Sequence, residues 1–250
     1  MDVKTRWEQL PAETGSMSVF VAEPDGPGPF PGIAHFHVLP GIGQNQQDTA
    51  VRIASEGYVV AIPHLYHRLT DKTAFALPGD REEANAASRS LTYYGKAMDG
   101  RAALNFLREN DLVDPNRIGV IGYCMGGTIA YLNAAWNADV KAAVVCYGPG
   151  LVTEPKPPAS PTSPIDLAEW VDCPVLSLSA SGDPLVPPAD VEAAAARMKE
   201  LGKSFVHYIY QDDNVGHAFF TADRPDMFDE GAATWGWPLK LDFLAKHLKA

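Results

Sequence analysis

Cysteine is scarce in this chain, basic residues are outnumbered, and no long apolar run is present. The 250 residues hold three cysteines, Cys124, Cys146 and Cys173. An odd, sparse set makes a poor disulfide framework and points to a reducing compartment in which a free thiol survives. Lys and Arg total 20 against 31 Asp and Glu, a net charge of -11. Nucleic-acid binding needs clustered cations against phosphate, so this balance excludes nucleic acid and anionic membrane surfaces as expected partners. No stretch reaches the roughly 20 apolar residues of a membrane helix. The opening MDVKTRWEQL has no apolar run, so no signal peptide is expected there. These absences lead us to expect a soluble cytoplasmic protein, a monomer or a homodimer. Hydrophobic residues make up 46% and charged residues 20%, which is ordinary globular composition. At this length we expect one domain spanning 1–250.

Strand-like and helix-like segments alternate from residue 31 onward. Strands are expected at 31–38, 58–63, 117–122, 140–147, 174–180 and 204–210. Helices are expected at 46–57, 80–109 (with a possible break near Ser90), 125–137, 188–201 and 226–248. The last contains a doubtful patch at Gly231, Gly236 and Pro238. An early strand over 16–23 is expected to pair antiparallel at the sheet edge. The alternation implies an α/β fold, a mostly parallel central sheet with helices on both faces. Residues 149–164 carry six prolines and are expected to form a surface loop bordering the pocket, a possible lid.

The stretch RIGVIGYCMGG carries the chemistry. A strand runs into Gly122-Tyr123-Cys124-Met125-Gly126-Gly127 and then a helix. This is the G-x-nucleophile-x-G elbow, with cysteine as the nucleophile. Gly122 and Gly126 remove Cβ atoms where strand and helix approach, and the helix N-terminus aims N–H groups, Met125 among them, at the site. The plain alternative is a glycine-rich turn with a structural cysteine. An acid and a histidine should follow in that order. Asp183, in SASGDPLVP, and His217, in QDDNVGHAFF, both lie just past strand C-termini, where open parallel sheets build their sites. His217 would take the proton of Cys124 and Asp183 would fix its tautomer. Asp212 and Asp213 are the weaker acid candidates. Among the aromatics, Tyr147 and Phe219 sit beside these loops and are expected to line the pocket.

GYCMGG, SGDPLVP and GHAFF, with PHLYHR at 63–68, resemble the dienelactone hydrolase family of α/β-hydrolases, across roughly residues 17–248. The resemblance implies the α/β-hydrolase fold, a Cys124-His217-Asp183 triad, no metal or organic cofactor, and a small ester or lactone substrate. It also implies a second oxyanion donor, a backbone N–H near Leu39, beside that of Met125. Departures from the family pattern occur at the mouth of the site. A family glutamate is replaced within Val38-Leu39-Pro40-Gly41, and the family's P-D-L-Y is Pro63-His64-Leu65-Tyr66. Two arginines hold the substrate carboxylate in the family. Arg81 matches one of them, while Thr221 occupies the place of the other and Arg224 lies three residues on. His35, His37, His64 and His67 gather near one sheet edge, and His37 is expected to line the pocket. Three other readings stay open: a thioesterase or general carboxylesterase, a non-catalytic binding or redox-sensing protein using the elbow thiol, and a zinc hydrolase built on the histidines.

Overall fold

The computed structural model describes residues 1–13, 15–153 and 162–250. Eight strands form one sheet: β1 Val3–Pro11, β2 Ser16–Pro24, β3 Phe30–Phe36, β4 Val59–Pro63, β5 Val113–Tyr123, β6 Ala143–Cys146, β7 Val175–Ala180 and β8 Phe205–Tyr210. Their order is β1-β2-β4-β3-β5-β6-β7-β8. The β1–β2 and β2–β4 pairs are antiparallel, and every pair from β4 to β8 is parallel. Among the described residues six α-helices cover the sheet: α1 Gln44–Ser55, α2 Arg81–Ser90, α3 Tyr93–Glu109, α4 Met125–Trp136, α5 Pro188–Glu200 and α6 Glu230–Leu248. The expected α/β architecture is what the chain adopts. Among the described residues no helix is long and apolar enough to cross a membrane.

The sheet divides the core in two. Ala34, Phe36, Val120 and Val145 face one apolar cluster together with Ala103 and Leu107 of α3 and Ile129 of α4. Ile33, Ile121, Val144 and Leu176 face the other, with Ile53 of α1 and Leu244 of α6. Alternate residues of each strand supply the two faces, as the period of two requires. Central strands buried on both sides read as continuous apolar runs, which is why 117–122 and 174–180 were plain in the sequence.

Two differences from the sequence-based expectations, the place of β2 and the presence of β1, have physical causes. β2 lies one place in from the edge, because β1 pairs along its whole length. β1 is rich in polar residues, so its sequence shows none of the apolar–polar alternation that marks a strand. The 80–109 segment breaks near Ser90 as expected, at Leu91–Thr92, where the Thr92 hydroxyl caps α3 by accepting from Gly95 N–H at 3.0 Å. α6 continues through Gly231, Gly236 and Pro238. Its start is capped by the Asp229 carboxylate on Ala232 N–H at 2.7 Å, and Gly236 admits the Phe220 ring against the helix. Residues 154–161 of the proline-rich segment lie outside the described residues, and so does the question of whether that segment acts as a lid.

The order of strands reverses around β3 and β5, since the chain moves outward from β3 to β4 and then returns to β5 on the opposite side. The C-terminal ends of two such neighbouring strands border an open crevice. Here the crevice is closed tightly at one point. A Cβ on Gly126 would collide with the Phe36 carbonyl at the end of β3, and one on Gly122 with the Gly126 carbonyl. Gly126→Ala is therefore expected to lose on the order of 3 kcal/mol of unfolding free energy in urea. A loss below about 0.5 kcal/mol would show that the backbone yields there.

Candidate active site

Cys124 is the residue between β5 and α4, with φ 54° and ψ −125°. A positive φ costs a non-glycine residue roughly 1–3 kcal/mol and survives only where the surroundings enforce it. Enforcement comes from both sides: Cys124 N–H donates to the Cys146 carbonyl at 3.0 Å, and its own carbonyl accepts from Gly127 N–H at 2.8 Å. The turn leaves the thiol partly exposed, while Cys146 and Cys173 are buried. Burial pushes the Cys146 thiol up to about 11 and Cys173 to about 12, so both are held protonated and inert at neutral pH.

Asp183 and His217 meet across the ends of β7 and β8. His217 Nδ1 lies 2.8 Å from Asp183 Oδ2. The other carboxylate oxygen accepts from Leu185 N–H at 2.8 Å and Val186 N–H at 3.3 Å, which fixes the acid in its turn. Asp183 is fully enclosed. Burial works against a charged His217 ring, but hydrogen bonding to Asp183 and the proximity of Cys124 outweigh it and raise the imidazole to about 10. His217 Nε2 is buried and has no hydrogen-bond partner among the described residues. The two rejected acids have other work: Asp212 forms the turn by accepting from Asn214 N–H at 3.0 Å, and the backbone of Asp213 packs against Gly182.

The N–H groups of Met125 and Leu39 have no acceptor among the described residues. Met125 opens α4, where the first-turn donors are unpaired by geometry. Tyr66 spans this region, donating its hydroxyl to the Leu39 carbonyl at 2.9 Å and lying 3.6 Å from Met125 Sδ. From sequence, Tyr66 is one of several aromatics able to line a pocket and is not singled out. The signal for it was its place just after β4, on the same sheet edge as β3 and β5.

A scan against family models matches residues 17–248 to the dienelactone hydrolase family. The chain belongs to the dienelactone hydrolase family. A protein of Methylorubrum extorquens named "Putative carboxymethylenebutenolidase" is 29% identical over 239 residues, covering 96% of this chain and 80% of the relative. Among solved structures, "Putative Dienelactone Hydrolase from Klebsiella pneumoniae" superposes with a TM-score of 0.87 at 27% identity, covering 98% of this chain and 99% of the other. The dienelactone hydrolase-like phosphotriesterase P91 from metagenomic libraries shares the fold, at 18% identity and a TM-score of 0.82.

Within this dienelactone hydrolase family member, two expected pocket residues, His37 and Phe219, are packed as structural groups. His37 has no exposed surface. Its Nε2 accepts from Leu65 N–H at 3.2 Å, so Nδ1 carries the proton and donates to the Val38 carbonyl at 2.7 Å. Both nitrogens are thus committed to backbone, and the ring ties the end of β3 to the chain after β4. Phe219 is likewise fully buried, packed on Tyr147 and Phe220, because its loop turns inward after His217. Tyr147 is 1% exposed and meets the His217 ring edge-on at 5.2 Å, so it supports the imidazole from below. Arg81 is exposed at the start of α2, near enough to Asp226 to stabilise its charge. Arg224 pairs with Asp226 through two bonds of 2.9 and 2.6 Å, and Thr221 is buried.

Of the other clustered histidines, His64 is buried with no hydrogen-bond partner for Nε2 among the described residues, while His35 and His67 each use one ring nitrogen. His35 Nε2 donates to Gln46 Oε1 at 3.0 Å, and His67 Nε2 donates to Asp99, which also holds Arg68 bidentately. Among the described residues no three His, Cys, Asp or Glu side chains gather as a metal-ligand set.

Burial lowers both His35 and His37 from 6.5 to about 3. A base whose folded pKa is depressed contributes stability above its unfolded pKa and loses it as pH falls. Unfolding free energy should therefore drop between about pH 6.5 and pH 3, by as much as about 1.4 kcal/mol per pH unit for each ring. Denaturant melts across that range should give a shallower slope for His35→Gln than for the unchanged protein, and equal slopes would refute the account.

Proposed function

We propose that this protein hydrolyses small activated esters or lactones through a Cys124 acyl-enzyme, with His217 as acid–base and Asp183 as its anchor. The observation that carries the reading is the strained Cys124 elbow, which presents a part-exposed thiol beside an imidazole held by a buried carboxylate. Family membership supports the reaction class.

In the proposed sequence Cys124 sulfur, as the thiolate, attacks the acyl carbon. The N–H groups of Met125 and Leu39 receive the oxyanion. The leaving oxygen departs with a proton from His217. Water then gives its proton to His217 and attacks the thioester carbon, and the carboxylic acid leaves as Cys124 is regenerated. Tyr66 keeps the Leu39 loop in register with the start of α4, so the two donors stay at a fixed separation. Asp183 keeps the proton of neutral His217 on Nδ1 and stabilises the imidazolium formed during turnover.

A thiolate leaves more readily than an alkoxide, so the tetrahedral intermediate from an alkyl ester tends to revert. A cysteine nucleophile thus selects esters whose own leaving group is good: enol lactones, aryl esters and thioesters. Recognition of a substrate carboxylate by two free arginines is not part of this proposal, since Asp226 occupies Arg224 and Thr221 replaces the second family arginine. We assign a small, activated acyl substrate and leave Arg81 as the one exposed cation at the start of α2 available to it.

Hydrolysis of p-nitrophenyl acetate with mass spectrometry of the protein tests the nucleophile. An acetyl adduct and turnover, both lost in Cys124→Ala, are expected, and equal turnover in the two proteins would remove Cys124 from the mechanism. For Asp183→Asn the expected loss in kcat is roughly a thousandfold or more, from a mis-set tautomer. In the same variant the His217 imidazole, followed by NMR, should titrate well below its position in the unchanged protein. A loss of less than about tenfold would mean that another group orients the ring.

A further inference from the structure

Behind Tyr147, on the α1/α6 face of the sheet, lies a cavity of about 440 Å³ that includes neither Cys124 nor His217 among its walls. Lys240 of α6 is at its inner end and is 1% exposed. Lysine is seldom buried unless an acid pairs with it, and no carboxylate pairs with Lys240 among the described residues. One of its three donors bonds the Tyr123 hydroxyl at 2.9 Å. The ammonium otherwise faces aromatic rings, 3.5 Å from the Phe220 centroid and 4.3 Å from that of Trp237. Arg52 of α1 stacks on Trp237, its guanidinium carbon 3.6 Å from the ring centroid. Both cations line the cavity.

We propose that this cavity is a second ligand site, which takes a small, flat monocarboxylate with its carboxylate on Lys240 and Arg52 and its apolar body among Tyr147, Phe220, Phe228 and Trp237. The chemistry follows from what each wall lacks. Aromatic faces stabilise a desolvated ammonium only in part, and two Lys240 donors have no oxygen to meet. A bound carboxylate supplies that oxygen in a charge-assisted bond. Asn45, Gln46, Thr49 and Thr234 add neutral polar groups around it. Asp48 and Glu230 also border the cavity, but both are exposed residues at its outer rim, and Asp48 already accepts from Gln44. They disfavour a ligand with a second negative charge at its far end, which is why a monocarboxylate is specified.

Protonation couples to this site. Burial pulls Lys240 down to about 7, with the Arg52 charge acting in the same direction. His35, lowered by burial and by Lys240 itself, stays neutral beside Tyr123. Carboxylate binding requires the ammonium form, so affinity should fall as pH rises through about 7.

Isothermal titration with benzoate tests the proposal, using the full chain with Cys124 alkylated so that the acyl site is blocked. Saturable one-to-one binding is expected. It should be at least about tenfold weaker in Lys240→Met, the loss of a charge-assisted bond, and weaker at about pH 9 than at about pH 6. Benzyl alcohol, the same body without charge, should bind more weakly than benzoate. Methionine fills the same channel without a buried charge, so Lys240→Met should fold. Should it not, Arg52→Gln on the exposed face of α1 carries the test, with an expected severalfold loss. Absence of saturation, abolition of binding by Cys124 alkylation, equal affinity for the alcohol, or equal affinity in the variant tested would each overturn the proposal.

Discussion

The close approach of β3 to the turn after β5 governs the rest of the molecule. Gly126 rests against the Phe36 carbonyl, and Gly122 against the Gly126 carbonyl. With no Cβ at either position, the backbone can reverse from strand to helix in one residue, and that residue, Cys124, takes the positive φ. Were the two segments further apart, the turn could relax, the thiol would drop toward the sheet, and the first N–H of α4 would point elsewhere. The strain at Cys124 is held by hydrogen bonds to β6 and to the first turn of α4. Elbow, sheet centre and helix start therefore form one mechanical unit.

Around that unit the polar groups are sorted by face. Near the ends of β3 and β4, His37 and Tyr66 use their polar atoms on backbone carbonyls and amides of the loops that border the site. These bonds immobilise loops that would otherwise be mobile, because loop backbone finds few partners of its own. On the α1/α6 face a different chain runs through the apolar core, from Gln46 to His35, onto the Tyr123 ring and then to Lys240. Buried polar chains of this kind are stabilising only when every member is satisfied. Among the described residues His35 Nδ1 and two Lys240 donors lack partners, and Lys240 also borders a cavity.

The surface and the interior differ in charge. A net charge of -11 repels anions at long range, yet the α1/α6 cavity has two cations in its walls. Binding there depends on short contacts inside a low-dielectric wall, where a pair of charges interacts more strongly than at the surface. The proposed acyl site, at Cys124 and His217, shares neither residue with the lining of that cavity. The ring of Tyr147 touches both His217 and the cavity, so the two regions share a wall while remaining separate spaces.

What the sequence by itself determined was local or ordered along the chain. The elbow was legible because strand, glycines, nucleophile and helix are consecutive. The parallel sheet was legible because its central strands are apolar on both faces. Asp183 and His217 were legible because each follows a strand and the acid precedes the histidine. Tertiary structure decided everything that depends on which way a side chain turns or what lies across from it. It chose Asp183 over Asp212 and Asp213 as the partner of His217, through the facing ends of β7 and β8. It made β1 a strand by pairing alone, since its polar sequence has no alternation to read. It turned His37 and Phe219 from expected pocket walls into struts and core, because loops after β3 and β8 fold inward. It buried Lys240 without an acid, a fact no spacing in α6 could show, since the rings that enclose it come from β5, the loop after β8 and the helix itself. Burial and partnership are properties of contact between distant segments, and only the folded chain brings those segments together.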